Sequence, residues 1–167
     1  MNMTITRRAL LAGGAATLAA CSTGPVLRTY DGPAITSVIA VKQKRALMLL
    51  NGQTVMRSLH FELGFNPVGH KQFKGDGKTP EGTYRINRRN PNSAYHLSIG
   101  ISYPNTTDWE YAQSLGRDPG GDIFIHGTPD TYLGKRDWTA GCVAVTTREI
   151  EDVYAMVRDG TPVFLYA

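Results

Sequence analysis

The chain has only two cysteines among its 167 residues, Cys21 and Cys142, and it has no long apolar run after Cys21. A disulfide framework is therefore excluded, and a transmembrane helix is not expected beyond Cys21. The chain also lacks a large excess of charge of one sign, because it has 18 basic and 14 acidic side chains. No basic cluster with interleaved aromatic residues is present, so nucleic-acid binding is not predicted.

Residues 1–20 predict an export signal that is not part of the fold. Arg7 and Arg8 precede a short apolar stretch, 9–20, which is too short to span a bilayer and is typical of a signal peptide. Small residues directly before Cys21 resemble a bacterial lipobox, which implies cleavage before Cys21 and a lipid on its thiol. The two arginines also resemble a twin-arginine signal, so both the Tat and the Sec export routes stay open.

The segment behind Cys21 predicts a tether followed by one domain. Residues 21–33 contain Thr, Gly and Pro without apolar periodicity, which is typical of a linker. Residues 34–167 have the usual length of a single domain. A lipid on Cys21 would hold this domain on the periplasmic face of a membrane. Ser22 favours the outer membrane, by resemblance to sorting rules in some bacteria.

The domain is predicted to be mostly β, with one or two short helices. Asn51-Gly52 indicates a hairpin turn, since both residues tolerate a positive φ. A helix is predicted after Thr146, because Glu149 completes a capping box and apolar residues recur at helical spacing up to Val157. A shorter helix is expected over 108–115. Strands are expected at 35–41, 45–50, 54–63, 84–86, 95–101, 122–125 and 162–166.

Cys142 and His126 are the candidate catalytic pair. A thiol becomes a strong nucleophile as the thiolate, and a nearby imidazole is the usual base. Gly141 places no side chain beside the sulfur, so a substrate carbonyl can approach the backbone there. If Cys21 carries a lipid, Cys142 has no disulfide partner within the chain, and a free exported thiol indicates a chemical role. A small buried cysteine and a core histidine are the alternative from the residues alone.

Two other patterns do not predict a site. Gly77-Lys78-Thr79 matches the end of a phosphate-binding loop, but Gln72 stands where that loop requires a glycine. The four histidines and Cys142 lack the close spacing of zinc ligands. No metal and no cofactor are therefore predicted.

The segment from His126 to Cys142 resembles the active-site signature of the L,D-transpeptidases, the YkuD-type catalytic domain. In that family a His-Gly pair is followed, after a loop, by Ser or Thr, one variable residue and Gly-Cys. The corresponding residues here are His126-Gly127 and Thr139-Ala140-Gly141-Cys142. Segments 77–82 and 160–163 also resemble the substrate-side loop and the terminal strand of the family. Segments 95–96, 103–105 and 122–126 are similar to a YafK-like, murein-modifying branch of it.

This resemblance implies a β-sandwich or barrel that acts on peptidoglycan stem peptides. Cys142 would attack the carbonyl of the third residue, a meso-diaminopimelate, expel the terminal D-alanine and form a thioester. An amine from a second stem peptide would then accept the acyl group. The close alternative is a hydrolase that cuts crosslinks between stems or between murein and a lipoprotein. A non-enzymatic murein-binding lipoprotein and an exported cysteine protease are the remaining alternatives.

The resemblance also implies roles for residues around the pair. His126 would be the proton acceptor and donor, oriented by the backbone carbonyl of Gly127. The backbone N–H groups of Gly141 and Cys142 would hold the oxyanion. Ala144 departs from the family pattern, because many members carry an arginine two residues after the cysteine. Substrate contacts are expected from Thr139, His96 and Tyr103.

Overall fold

The computed structural model describes residues 25 and 27–167, so the predicted export signal, Cys21 and positions 22–24 and 26 of the predicted tether lie outside the described residues. The described part contains eight strands, two α-helices and a short 3₁₀ helix at Asp130–Tyr132. The prediction of a mostly β domain with one or two short helices is confirmed. The elements are β1 Ser37–Val41, β2 Ala46–Asn51, β3 Thr54–His60, β4 Gly82–Ser93, β5 His96–Ile101, α1 Thr106–Ser114, β6 Phe124–His126, β7 Val143–Ala144, α2 Thr147–Met156 and β8 Pro162–Tyr166.

The strands form one curled sheet in the order β3-β2-β1-β8-β4-β5-β6-β7. Neighbouring strands are antiparallel, except that β1 pairs with β8 and β6 pairs with β7 in parallel. The chain after β3 closes the curl, because Glu62 bridges Ala144 and Gly64 bridges Thr139. The segment that contains the predicted nucleophile is thus held between β6 on one side and residues 62–64 on the other.

Local signals in the sequence account for the hairpin and for both helices. Gly52 has φ +56°, as the predicted turn between β2 and β3 requires. α2 begins directly after Thr146, whose hydroxyl accepts from the N–H of Glu149, and Glu149 completes the predicted capping box. α1 is capped by Asn105 and begins two residues before the predicted position. Neither helix in the described part is long and apolar enough to cross a bilayer.

The core lies between α2 and the inner face of the curled sheet. Its buried members include Ile99 and Ile125 on β5 and β6, and Ile150 and Val153 on α2. Burying each such side chain contributes roughly 1.5–3 kcal/mol, which is why the helix is fixed against these two strands. The strands that carry the site are therefore supported from behind by the best-packed part of the domain.

Two strands differ from the sequence expectation. β4 continues to Ser93, whereas a strand was expected only over 84–86. Residues 87–93 are polar, and they are ordered as a strand by pairing with β5, which local composition does not reveal. β7 has only two residues and exists because β6 and Glu62 flank it.

Candidate active site

Strand register places Cys142 and His126 on the same face of the sheet. On β6, His126 pairs with Ala144 and Ile125 pairs with Val143 of β7. Side chains alternate along a strand, so Val143 faces the core with Ile125 and the preceding Cys142 shares the opposite face with His126. Both side chains line one cavity of about 310 Å³.

The imidazole of His126 is fixed on three sides. Its Nδ1 lies 2.7 Å from the carbonyl oxygen of Gly127, and its ring stacks on Tyr95 with centroids 4.4 Å apart. The ring of Trp138 meets it edge-on at 5.5 Å. A carbonyl can only accept a hydrogen bond, so Nδ1 carries the proton and Nε2 keeps a lone pair for the thiol proton.

Burial disfavours the charged form of both groups of the pair. Burial lowers the pKa of His126, although the hydrogen bond to the Gly127 carbonyl opposes the shift. Burial also raises the pKa of the Cys142 thiol above its ordinary value. The half-buried sulfur donates to the carbonyl oxygen of Asp122 at 3.4 Å.

A tight turn holds the nucleophile. The hydroxyl of Thr139 donates to the carbonyl of Cys142 at 2.8 Å and accepts from the N–H of Gly141 at 3.1 Å. Gly141 has φ +130°, and a Cβ there would lie 2.5 Å from the carbonyl oxygen of Lys78. The missing side chain of Gly141 therefore serves packing against Lys78, where the sequence predicted access for substrate. The N–H of Gly141, which was predicted to hold the oxyanion, is engaged by the hydroxyl of Thr139.

The three residues predicted to contact substrate occupy different places. Thr139 is 4% exposed, lines neither cavity beside Cys142 and builds the turn instead. His96 also lies outside both cavities, with its Nε2 2.9 Å from a carboxylate oxygen of Glu151 on α2. Tyr103 lines the larger cavity beside Cys142, and its hydroxyl donates to the carbonyl of Pro119 at 3.1 Å.

Two cavities meet at Cys142, and they differ in charge. The cavity shared with His126 is lined mainly by neutral side chains, including Tyr95, Ser98 and Phe124. The other cavity, of about 720 Å³, is lined by three cations, two carboxylates and Tyr103. Cys142 and Asp122 line both. The charged residues of the larger cavity are Lys71, Lys74, Arg88, Asp118 and Asp122.

Sequence reasoning missed the wall of this larger cavity. Lys71 is buried there and pairs with the buried carboxylate of Asp76 at 2.9 Å. Burial disfavours ionisation of Asp76, but hydrogen bonds from Gln72, Lys71, Lys78 and Phe73 outweigh it and hold the pKa below its ordinary value. Loop residues with these functions have no periodicity, so no sequence pattern identifies them. Among the described residues, no group of three or more His, Cys, Asp or Glu side chains is placed to hold a metal ion.

Comparison with known proteins agrees with this geometry. A sequence model of the YkuD domain, described as the L,D-transpeptidase catalytic domain, matches residues 36–165. This chain belongs to the L,D-transpeptidase family. A curated relative from Escherichia coli K12, named "Putative L,D-transpeptidase YafK", is 32% identical over 92 residues, which cover 54% of this chain and 32% of that protein.

Solved structures share the fold. The helical cell shape determining protein Pgp2 from Campylobacter jejuni matches with a TM-score of 0.64 and 25% identity, covering 86% of this chain and 51% of that one. Bd1075 from Bdellovibrio bacteriovorus matches with a TM-score of 0.57 and 21% identity, covering 85% and 52%. The chain thus spans about a third of the curated relative and about half of these two structures.

Within this L,D-transpeptidase domain, Ala144 stands where many members carry arginine. It is buried on β7 directly beside His126, and it lines a separate small cavity together with Trp138. Position 144 therefore supplies no positive charge to a substrate. The cations beside the nucleophile lie on the other side of Cys142, in the larger cavity.

The shifted pKa values of His126 and Cys142 predict a particular pH dependence. His126 must be unprotonated to accept the thiol proton, and its lowered pKa means that activity is kept near pH 6.5 and lost only on further acidification. Alkylation of Cys142 by iodoacetamide should rise only above the ordinary thiol pKa of about 8.5, since the thiol pKa is raised. Rates measured from pH 4 to 11 check both limbs. Alkylation that titrates below pH 7 would instead indicate a resting thiolate–imidazolium pair.

Proposed function

We propose that this protein is a cysteine-dependent peptidoglycan L,D-transpeptidase acting on the meso-diaminopimelate–D-alanine bond of stem peptides. The observation that carries the proposal is the placement of Cys142 and His126 on one face of paired strands, lining one cavity. The fixed tautomer of His126 leaves Nε2 as the proton acceptor. Family membership supports acyl transfer over a binding-only role.

The reaction has two stages, acylation of Cys142 and transfer of the acyl group to the acceptor, and each stage includes two proton transfers. Nε2 of His126 takes the thiol proton while the sulfur of Cys142 attacks the diaminopimelate carbonyl. The amide of Cys142 stabilises the oxyanion that forms. The C–N bond then breaks, the imidazolium protonates the departing amine, and D-alanine leaves behind a thioester. An acceptor amine attacks this thioester and loses its proton to His126. The C–S bond then breaks, and the imidazolium returns a proton to the sulfur of Cys142.

Two cavities at one sulfur give room for both parts of a stem peptide. Spaces of about 720 and 310 Å³ open at Cys142, so the acyl half of a donor can lie on one side and a departing or accepting amine on the other. Pgp2 is a helical cell shape determining protein, which fits an enzyme that remodels the wall, and we extend that role to this chain as part of the proposal.

Purified protein lacking residues 1–20, incubated with defined tetrapeptide muropeptides, tests this function. Mass spectrometry separates a crosslinked product with released D-alanine, which is the expected result, from a hydrolysed stem. Hydrolysed stems or cleaved murein–lipoprotein links without any crosslink would replace the transferase by the hydrolase. Absence of turnover in the presence of an alkylatable Cys142 would contradict both activities.

We further propose that a lipid on Cys21 anchors the enzyme at the periplasmic face of a membrane, preferably the outer one. Within the segment 22–33 that was predicted to be a tether, Arg28 pairs with Glu151 and Asp152 at 2.8 and 3.2 Å and Tyr30 packs against the core. This end of the domain would therefore lie close to the anchor, and the enzyme would act on murein close to that membrane. Cys21→Ala is expected to abolish membrane association while leaving Cys142 alkylation unchanged. Fractionation and intact-mass measurement check this. A wild-type protein found wholly in the soluble fraction, without lipid mass, would overturn the anchor alone.

A further inference from the structure

Arg88 lines the larger cavity beside Cys142, and it comes from a strand that does not carry the active-site signature. On β4, Ile86 pairs with Ile101 of β5, and the next pair is Arg88 with Gly100, so Asn87 is an extra residue in the ladder. Such a bulge changes the direction of the following side chain. Because of the bulge, the side chain of Arg88 lies on the face of the sheet that carries Gly100, opposite to the core face that carries Ile86.

Gly100 opens a path for the arginine across β5. A Cβ on Gly100 would lie 2.5 Å from Cγ and 2.9 Å from Nε of Arg88, so the arginine lies directly over this glycine. A glycine within a strand commonly marks such a close approach. The guanidinium then rests on the ring of Phe124, with Cζ 4.4 Å from the ring centroid, and donates to Asp122 at 2.7 Å.

Two ion pairs of the larger cavity are exposed to solvent. The side chains of Arg88 and Asp122 are 44% and 86% exposed, and those of Lys74 and Asp118, which lie 3.9 Å apart, are 74% and 65% exposed. Exposed ion pairs contribute little to stability, so each charge can change its partner for a ligand group at small cost. The cavity therefore offers both a cation and a carboxylate to a ligand that carries both signs.

The position of His126 decides which half of the substrate this cavity receives. His126 lines only the smaller cavity, and the same imidazole must protonate the leaving amine and deprotonate the acceptor amine. Both amines therefore lie on the His126 side of Cys142. The acyl half of the donor, with its side chain, lies on the opposite side, where the larger, charged cavity opens.

We propose that the larger cavity binds the zwitterionic end of the donor's diaminopimelate side chain, with Arg88 on its carboxylate and Asp122 on its ammonium. This inference rests on the proposed function. A guanidinium held over the ring of Phe124 suits bidentate binding of a carboxylate. Arg88 thereby supplies a substrate-binding cation in a chain that has Ala144 where many family members carry arginine.

The test compares three donor tetrapeptides that differ only in the third residue. One carries diaminopimelate, the second carries diaminopimelate with its distal carboxylate amidated, and the third carries lysine, which lacks that carboxylate. The wild-type enzyme is expected to release D-alanine from the first with a kcat/KM roughly tenfold to a hundredfold above the other two, as for a hydrogen bond to a charged group. Arg88→Met should bring this ratio close to one, and Arg88→Lys should restore part of it.

Two further variants separate positioning from charge. Gly100→Ala keeps every charge but obstructs the path of Arg88, so it should also reduce the ratio. Arg57→Met removes an exposed arginine of β3 that lines neither cavity and should leave the ratio unchanged. Iodoacetamide alkylation and melting temperature are measured alongside, to show that Cys142 and the fold are intact.

The outcomes separate this inference from the proposed function. If the wild-type enzyme releases D-alanine from none of the three peptides, the proposed function fails, and the inference fails with it. If the wild-type enzyme processes all three equally, or if Arg88→Met lowers all three by the same factor, the diaminopimelate site is overturned while the transpeptidase activity stands.

Discussion

Replacing Cys142 by serine is expected to lower D-alanine release by at least roughly a thousandfold while leaving the fold unchanged. Serine is nearly isosteric with cysteine, so the turn held by Thr139 should persist. A serine hydroxyl beside a neutral imidazole is far harder to deprotonate than a thiol, even one whose pKa is raised by burial. The measurement is D-alanine release from a tetrapeptide, with circular dichroism and melting temperature recorded for both proteins.

Cys142→Ala is the matched control, because it removes the nucleophile without offering any hydroxyl. Both variants should be inactive, and neither should gain mass when incubated with substrate. A folded Cys142→Ser enzyme that still processed stem peptides at a rate near wild type would remove the thioester from the mechanism. The role of His126 would then need a different nucleophile.

Replacing His126 by alanine is expected to slow acylation of Cys142 by roughly a hundredfold or more, as for the loss of a positioned general base. The ring is buried between Tyr95 and Trp138, so alanine would also leave a cavity. His126→Asn is the better-packed companion variant and should show the same loss of rate. Single-turnover acylation, followed by intact mass, measures the step directly.

His96→Ala is the control for a second histidine near the sheet. Its ring is paired with Glu151 on the α2 side and lines neither cavity at Cys142, so its effect on acylation should be small. If His96→Ala slowed acylation more than His126→Ala, the base would have been assigned to the wrong histidine. The pH profile of the His126 variants should also lose its acid limb, a change that a purely structural role would not produce.

Several features of the fold follow from short stretches of the chain. The Asn51-Gly52 turn and the capping box of Thr146 and Glu149 were predicted where they occur, because turn and cap preferences act within a few residues. The motif from His126 to Cys142 likewise identified the family, which the matching catalytic-domain model confirms. These signals depend on residue type and spacing, and both can be read from the amino-acid sequence.

Other features of the fold and of the site depend on contacts that residue type and spacing do not reveal. The predicted substrate contacts of Thr139 and His96 do not fit their places in the structure, because one hydroxyl is used inside the nucleophile turn and the other side chain pairs with α2. The strand over 87–93 was not predicted, since its polar residues are ordered only by β5. The buried pair Lys71–Asp76 was missed for a different reason, because the two residues lie in a loop that has no periodicity.

The sequence by itself determined the family, the candidate nucleophile and base, and the local turn and helix signals, because each is written in residues close together in the chain. Only the tertiary structure decided what surrounds the sulfur. The pairing of β6 with β7 brings Cys142 onto the same face as His126. The bulge at Asn87 and the missing side chain of Gly100 bring Arg88 into the larger cavity. Register and burial arise from contacts between distant segments, and these set the pKa values and the charges that the reaction meets.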